Sequence, residues 1–200
     1  LFRAGQQYIS PEILDGLPNM ITWSAKWLLS KNVMHDKLTS KEAINRDDAR
    51  ITKSLWELIR EADIVIAHNG DRFDIPMMNT RFLVNGLTPP ESYISIDTLK
   101  SARKHLKLPS NKLAEIAKNF NKTNKIETNR ELWENVLLGD IEAINEMQDY
   151  NDQDVLTLEE IYLLLRPWIK PHPNVSIFMD SNEPRCIYCG SKNIFPTGGY

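Results

Sequence analysis

The chain of 200 residues is short of cysteine, with two, and holds no apolar run near the roughly 18 residues that a membrane span needs. Its first residues, Leu1-Phe2-Arg3-Ala4-Gly5, lack the charged segment and apolar core of a secretory signal. Two cysteines without an export signal fit a reducing, cytoplasmic setting. No repeat or low-complexity tract is present, and no membrane partner is expected. Leu1 is not an initiator methionine, so the chain is expected to be cut at its start. What remains is an apolar fraction of 42% with 26% charged residues, the composition of a folded globular domain with a small appendage.

The formal charge of −3 conceals an uneven distribution. Residues 100–125 carry eight Lys or Arg against Glu115 alone, whereas 126–160 carry eleven Asp or Glu against Arg130 alone. A basic block beside an acidic one suits a protein that grips a phosphate chain and holds cations nearby. Two solvated helical faces of opposite sign would give the same count.

Strand and helix patterns alternate along the chain. The first half of Met20–Leu29 reads as a strand, and residues 47–61 as a helix through Ile51, Leu55, Leu58 and Ile59, with Asp47 as its N-cap. Residues 63–67 (DIVIA) form a buried strand that ends in the turn cluster His68-Asn69-Gly70-Asp71. A helix follows from Phe73 to about Val84, then a strand over 93–96 and a helix capped by Asp97-Thr98. The helical pattern resumes at Lys112. An Asn/Lys/Thr-rich link at 121–129 leads to helices over 130–138 and 140–165, the latter expected to break near Tyr150. Pro167, Pro171 and Pro173 end the regular structure. Alternating elements of this kind make an α/β sheet covered by helices.

Two constellations carry chemistry. Asn69-Gly-Asp-Arg-Phe73-Asp74 stands where a buried strand hands over to a helix, the sheet edge at which open α/β folds bind ligands. Gly70 permits a tight turn, Asp74 supplies a carboxylate and Phe73 a ring face for a base; a capped turn with an incidental Asp has the same residues. Tyr150-Asn-Asp-Gln-Asp154 puts a phenol and a carboxylate one helical turn apart on one face, able to hold a hard cation and orient its water. Asp152, about 200° around the helix from Asp154, reads as solvated.

The order and spacing resemble the DnaQ-like 3′–5′ exonucleases of the RNase H-like superfamily, in the branch with tyrosine in its third motif (DEDDy). The second motif, Asn-x-x-x-Phe-Asp, is matched at Asn69, Phe73 and Asp74, and the third, Tyr-x-x-x-Asp, at Tyr150 and Asp154. Ile96-Asp97-Thr98 resembles a strand end that follows the second motif. Ser110-Asn111-Lys112-Leu113 resembles a helix opening in phage and bacterial exonucleases and in the proofreading domains of family B polymerases. The likeness extends from Met20 to Pro173. It implies an RNase H-like mixed sheet flanked by helices and a metal-dependent hydrolysis of nucleic acid phosphodiesters, with single-stranded DNA 3′ ends as substrate. It also implies two Mg²⁺ or Mn²⁺ ions, with Asp74 and Asp154 as ligands, Tyr150 aligning the nucleophile, and Asn69, Phe73 and Lys112 meeting the substrate.

The family's first motif, Asp-x-Glu, does not occur before Asn69; Asp140-Ile-Glu142 has the spacing in the wrong order. The first strand is therefore expected to be missing, and this chain alone to have little nuclease activity. A non-catalytic nucleic-acid-binding module on the same fold is the alternative, and an interaction domain of a replication protein a third reading. The expected organisation is an exonuclease domain over residues 1–170 and, over 171–200, a linker with half a zinc ribbon, whose Zn²⁺ ligands would be Cys186 and Cys189. Trp23, Trp27 and Trp56 read as core or interface aromatics. His68 reads as a phosphate contact or an exposed turn residue, and His105 as a surface residue.

Overall fold

The computed structural model describes residues 17–122, 130–170, 172–178, 183–187 and 189–195. Residues 123–129 of the polar link, Lys125 among them, lie outside this set, as does Pro171. The described residues form β1 (Thr22–Ala25), β2 (Met34–Lys37), α1 (Ser40–Asn45), α2 (Ala49–Arg60), β3 (Ile64–Ala67), α3 (Asp74–Val84), β4 (Ile94–Asp97), α4 (Thr98–His105), α5 (Leu113–Asn119), α6 (Arg130–Leu137) and α7 (Ile141–Leu165). None of these helices is long and apolar enough to cross a membrane.

The strands pair in both senses. β1 and β2 are antiparallel, from Thr22 opposite Lys37 to Ala25 opposite Met34. β3 and β4 are parallel, from Ile64 opposite Ile94 to Ala67 opposite Asp97. Among the described residues the two pairs form separate two-stranded sheets rather than one continuous sheet. They nevertheless lie between the same helical layers. On one side, Trp23 of β1 and Val65 of β3 pack against Leu55 and Ile59 of α2 and Met78 and Phe82 of α3. On the other, Ile64, Ile66 and Ile96 meet Tyr162 and Leu163 of α7 together with Ile169. β3 thus packs on both faces, although each of its four residues stays partly exposed. A large apolar side chain fully buried in these layers, such as Phe82, contributes about 1.5–3 kcal/mol.

α2 is apolar at Ile51, Leu55 and Ile59, one turn apart, and all three are buried. Its N-cap is Asp48, one residue later than expected; Asp47 Oδ1 still accepts the Ala49 N–H at 3.1 Å. Asp48 is committed elsewhere, to Arg81 of α3. α7 runs unbroken through Tyr150, because nothing between Ile141 and Leu165 is glycine or proline. Asp140 starts it by accepting the N–H groups of Glu142 and Ala143 at 2.8 and 3.1 Å.

The face of β1 turned to α7 is polar. Thr22 Oγ1 accepts from Asn151, Ser24 lies 2.7 Å from the Gln148 amide, and Lys26 Nζ is 2.5 Å from Glu159. Asp152, expected in solvent, belongs to this seam. Its Oδ1 accepts from Ser24 at 2.6 Å and from Gln148 at 2.8 Å, and its Oδ2 lies 2.8 Å from His35 Nδ1. Helical geometry correctly separates it from Asp154, but both sides of α7 are covered.

Candidate functional site

The site is built at the C-terminal ends of β3 and β4. β3 stops at Ala67, and the chain turns through Asn69, whose φ of +70° is left-handed, a conformation asparagine adopts more readily than most side chains. The Asn69 carbonyl then accepts the Phe73 N–H at 3.0 Å, and the Gly70 carbonyl that of Ile75 at 2.9 Å, which opens α3 with Asp74 in its first turn. Glycine is required at position 70 by proximity: a Cβ there would stand 2.3 Å from that of Ala67 and 3.9 Å from Asp74 Oδ2. Asp74 is exposed as a residue, yet local desolvation pushes its carboxyl above the ordinary carboxylate range; a backbone hydrogen bond opposes this and the charge of Asp97 adds to it.

Asp97, the last residue of β4, is 6% exposed. Its Oδ1 accepts three backbone N–H groups, from Asn69 at 3.0 Å, Leu99 at 2.9 Å and Lys100 at 3.3 Å. Its Oδ2 is buried with no hydrogen-bond partner among the described residues. Sequence reasoning took Asp97 as a strand end and helix cap; its buried, unsatisfied second oxygen has no signature in the sequence.

His68 is not an exposed turn residue. It is half-buried, with Nε2 2.9 Å from the Asn111 carbonyl and Nδ1 2.9 Å from Thr98 Oγ1. A carbonyl only accepts, so Nε2 carries a proton; the Thr98 hydroxyl beside Nδ1 also lies 3.1 Å from the Ala67 carbonyl, to which it can donate. Burial lowers its pKa, against the Asn111 hydrogen bond and the charge of Asp97; Arg103 lowers it further and Asp154 opposes. Asp154 of α7, Asp97 of β4 and Arg103 of α4 therefore all act on one imidazole. The His68–Asn111 bond also draws the loop before α5 to this end of the sheet, and exposed Lys112 follows directly as the N-cap of α5.

The remaining expected residues are distributed as follows. The Phe73 ring is 41% exposed beside Asp74. Tyr150 is half-buried on the same side of α7 as Asp154, its ring against a core that includes Leu38, Ile51, Val136 and Met147. Of the basic block, Lys100 is paired with Asp71 at 2.7 Å, and Ser95 donates to the same carboxylate. Arg103, Lys104, Lys107 and Lys112 are exposed. His105 is half-buried. Trp23 is a core residue whose indole donates to the Ile51 carbonyl at 2.9 Å, Trp56 stacks with the Arg60 guanidinium at 4.5 Å, and Trp27 is exposed.

The donors gathered here are carboxylate oxygens, the right kind for Mg²⁺ or Mn²⁺. Among the described residues, however, no three His, Cys, Asp or Glu side chains converge closely enough to hold a metal ion. The site fits such an ion in chemistry but falls short in number of ligands. In the tail, Cys186 and Cys189 lie on a tight turn closed by the Gly190 N–H on the Cys186 carbonyl at 2.8 Å, with Gly190 at φ +68°. Two thiols are half the set that tetrahedral zinc takes. His172 is engaged elsewhere, with Nε2 2.7 Å from the Tyr162 hydroxyl.

A mixed α/β core with acids at the strand ends and on a long covering helix is matched, over residues 24–166, by the model of the RNase_H superfamily, and the chain belongs to that superfamily. Among individual proteins, it is similar to a DNA polymerase III PolC-type from Ureaplasma parvum serovar 3. The two are 29% identical over 136 residues, 66% of this chain but 9% of that polymerase. The match thus spans under a tenth of the length of the curated relative.

Proposed function

We propose that residues 1–170 form most of a DnaQ-like 3′–5′ exonuclease domain of the DEDDy branch, acting on single-stranded DNA 3′ ends. Residues 171–200 would be a linker and one half of a zinc ribbon. The reading is carried by one observation: at the strand ends the Asp97 carboxylate accepts the Asn69 N–H at 3.0 Å and so holds the turn that opens α3 with Asp74 in its first turn. The similarity to a DNA polymerase supports DNA as the substrate. Asp74 and Asp154 would hold two divalent ions, which when bound supply an activated water and charge stabilisation at the phosphate. Tyr150, one turn before Asp154, would orient the attacking water. Asn69, Phe73 and Lys112 would meet the terminal nucleotides, the ring by stacking and the lysine by charge.

The shortage of ligands has a structural counterpart. β1 and β3 belong to separate sheets yet share both helical layers. A strand carrying Asp-x-Glu, paired between β1 and β3, would join the sheets and deliver the outstanding carboxylates beside Asp74. The same shortage is what a non-catalytic binding module would show. The full-length protein decides between them: it should shorten a 5′-labelled single strand in the presence of Mg²⁺, and Asp154→Ala should abolish this. Wild-type rates in that variant would place the chemistry elsewhere.

A further inference from the structure

Residues 101–122 run from α4 through the following loop to the end of α5, and they hold six Lys or Arg against Glu115 alone. Apolar packing decides which way these face. Ala102 of α4 and Ile116 and Ala117 of α5 are buried against Ile161 and Leu165 of α7, with Leu106, Leu108 and Leu113 packed around them. Arg103, Lys104, Lys107, Lys112, Lys118 and Lys122 are left on the outside of this lobe, and all six are exposed. Lys26, Arg50, Arg60 and Arg81 each hold a carboxylate, whereas none of these six makes an ion pair among the described residues. A surface of one sign that is not neutralised from within repels itself and concentrates anionic chains around it.

An aromatic residue belongs to the same strip. Phe120 caps the end of α5, where the Lys122 N–H closes on the Ala117 carbonyl at 2.8 Å and Asn121 is left-handed at φ +50°. Phe120 stays 36% exposed there, with Lys118 and Lys122 two residues to either side. A single exposed apolar residue is ordinary. An aromatic set among cations is the arrangement that stacks a base while phosphates are held. The other end of α5 is tied to the strand ends, since the Asn111 carbonyl accepts from His68 at 2.9 Å. From there the seven residues of α5 extend the strip by about 10 Å.

Resting on the reading that the chain acts on single-stranded 3′ ends, we propose that the α4–α5 lobe is a second binding surface for that strand and takes nucleotides upstream of the terminal one. Lys104, Lys107, Lys118 and Lys122 meet phosphates, and Phe120 stacks on a base. Charge alone would take a duplex equally well; the ring selects a single strand, whose bases have free faces. The contact needs no metal ion, so it is separable from the chemistry.

The test is the fluorescence anisotropy of a labelled oligothymidine titrated with the full-length protein in EDTA at several salt concentrations. Lys118→Ala with Lys122→Ala, and separately Lys104→Ala with Lys107→Ala, should each flatten the dependence of log affinity on log salt by about 0.7 per lost contact. Phe120→Ala should weaken binding about 5- to 150-fold and leave that slope unchanged, while Phe120→Tyr binds like the parent. Lys41→Ala with Lys53→Ala, outside the lobe, should alter neither. Parental slopes in both lobe pairs, from a parent that binds the strand and shortens it with Mg²⁺, would overturn the lobe and leave the exonuclease reading standing. A parent with no affinity for the strand would overturn both. Equal losses on a blunt duplex, with Phe120→Ala binding like the parent, would overturn the single strand as the occupant.

Discussion

Arg81 of α3 grips Asp48 at the start of α2 at two points, Nε to Oδ2 and Nη2 to Oδ1, each 2.6 Å. Asp48 is fully buried, and the Asn85 amide and Met20 N–H also donate to it. Asp48→Ala would strand the guanidinium charge in the interior, and urea titration should show a loss of about 3–5 kcal/mol.

The same pair makes a pH prediction. Burial raises the Asp48 pKa, but hydrogen bonds from Arg81, Asn85 and Met20 outweigh it and hold the carboxyl below its ordinary 3.8. A carboxyl with a lowered folded-state pKa contributes its full stability above the unfolded value and loses it as the pH falls through the folded value. Urea midpoints measured below about pH 4 should therefore fall more steeply in the parent than in Asp48→Ala.

Gly70→Ala should destabilise the protein by about 1–3 kcal/mol, because the new methyl overlaps the Ala67 Cβ at 2.3 Å. The next neighbour is at 3.6 Å, an ordinary contact. Adding Ala67→Gly should recover most of the lost melting temperature; no recovery would mean that the turn itself, and not this contact, demands glycine.

Asp74→Asn should separate stability from function. A carboxyl whose folded-state pKa is raised makes its ionised form unfavourable in the native protein, so the neutral amide removes a penalty at neutral pH. The expected outcome is a melting temperature no lower than the parent's, together with loss of Mg²⁺-dependent cleavage.

Asp152→Ala should cost about 1–3 kcal/mol through the Ser24 hydroxyl, which it leaves without an acceptor, while the Gln148 amide keeps only Ser24 Oγ. Unchanged stability would mean that water replaces the carboxylate in the seam.

Much of this architecture was legible in the sequence. The β-branched run before His68, the 3.6-residue spacing of Ile51, Leu55 and Ile59, the cap at Asp97 and the helical stretch from Asp140 each gave a correct element. β2 and α1 were missed: β2 reads Met-His-Asp-Lys, too polar for a strand pattern. α1 is six residues long, although its capping box is written plainly as Thr39-x-x-Glu42. Asn69, Phe73 and Asp74 fell on the expected strand–turn–helix junction. Asp152 and the exposed-turn reading of His68 were misjudged, and Asp48 was passed over, for one reason. Each is a polar residue whose partners are distant in sequence, and periodicity carries no information about such pairs. Arg103 could have been noticed inside the basic block, but nothing marked it apart from its neighbours.

The seam between β1 and α7 bears on how firmly Asp154 is placed. A greasy interface tolerates sliding, since one methyl group replaces another; hydroxyl, amide and ion-pair contacts at Thr22, Ser24 and Lys26 match α7 in a single alignment only. Slippage by one helical turn would carry Asp154 about 5.4 Å along the axis, and every one of those three pairings would be broken at once. Polar residues on and just after β1 thus act as a ratchet tooth, setting where on the sheet a distant carboxylate comes to rest.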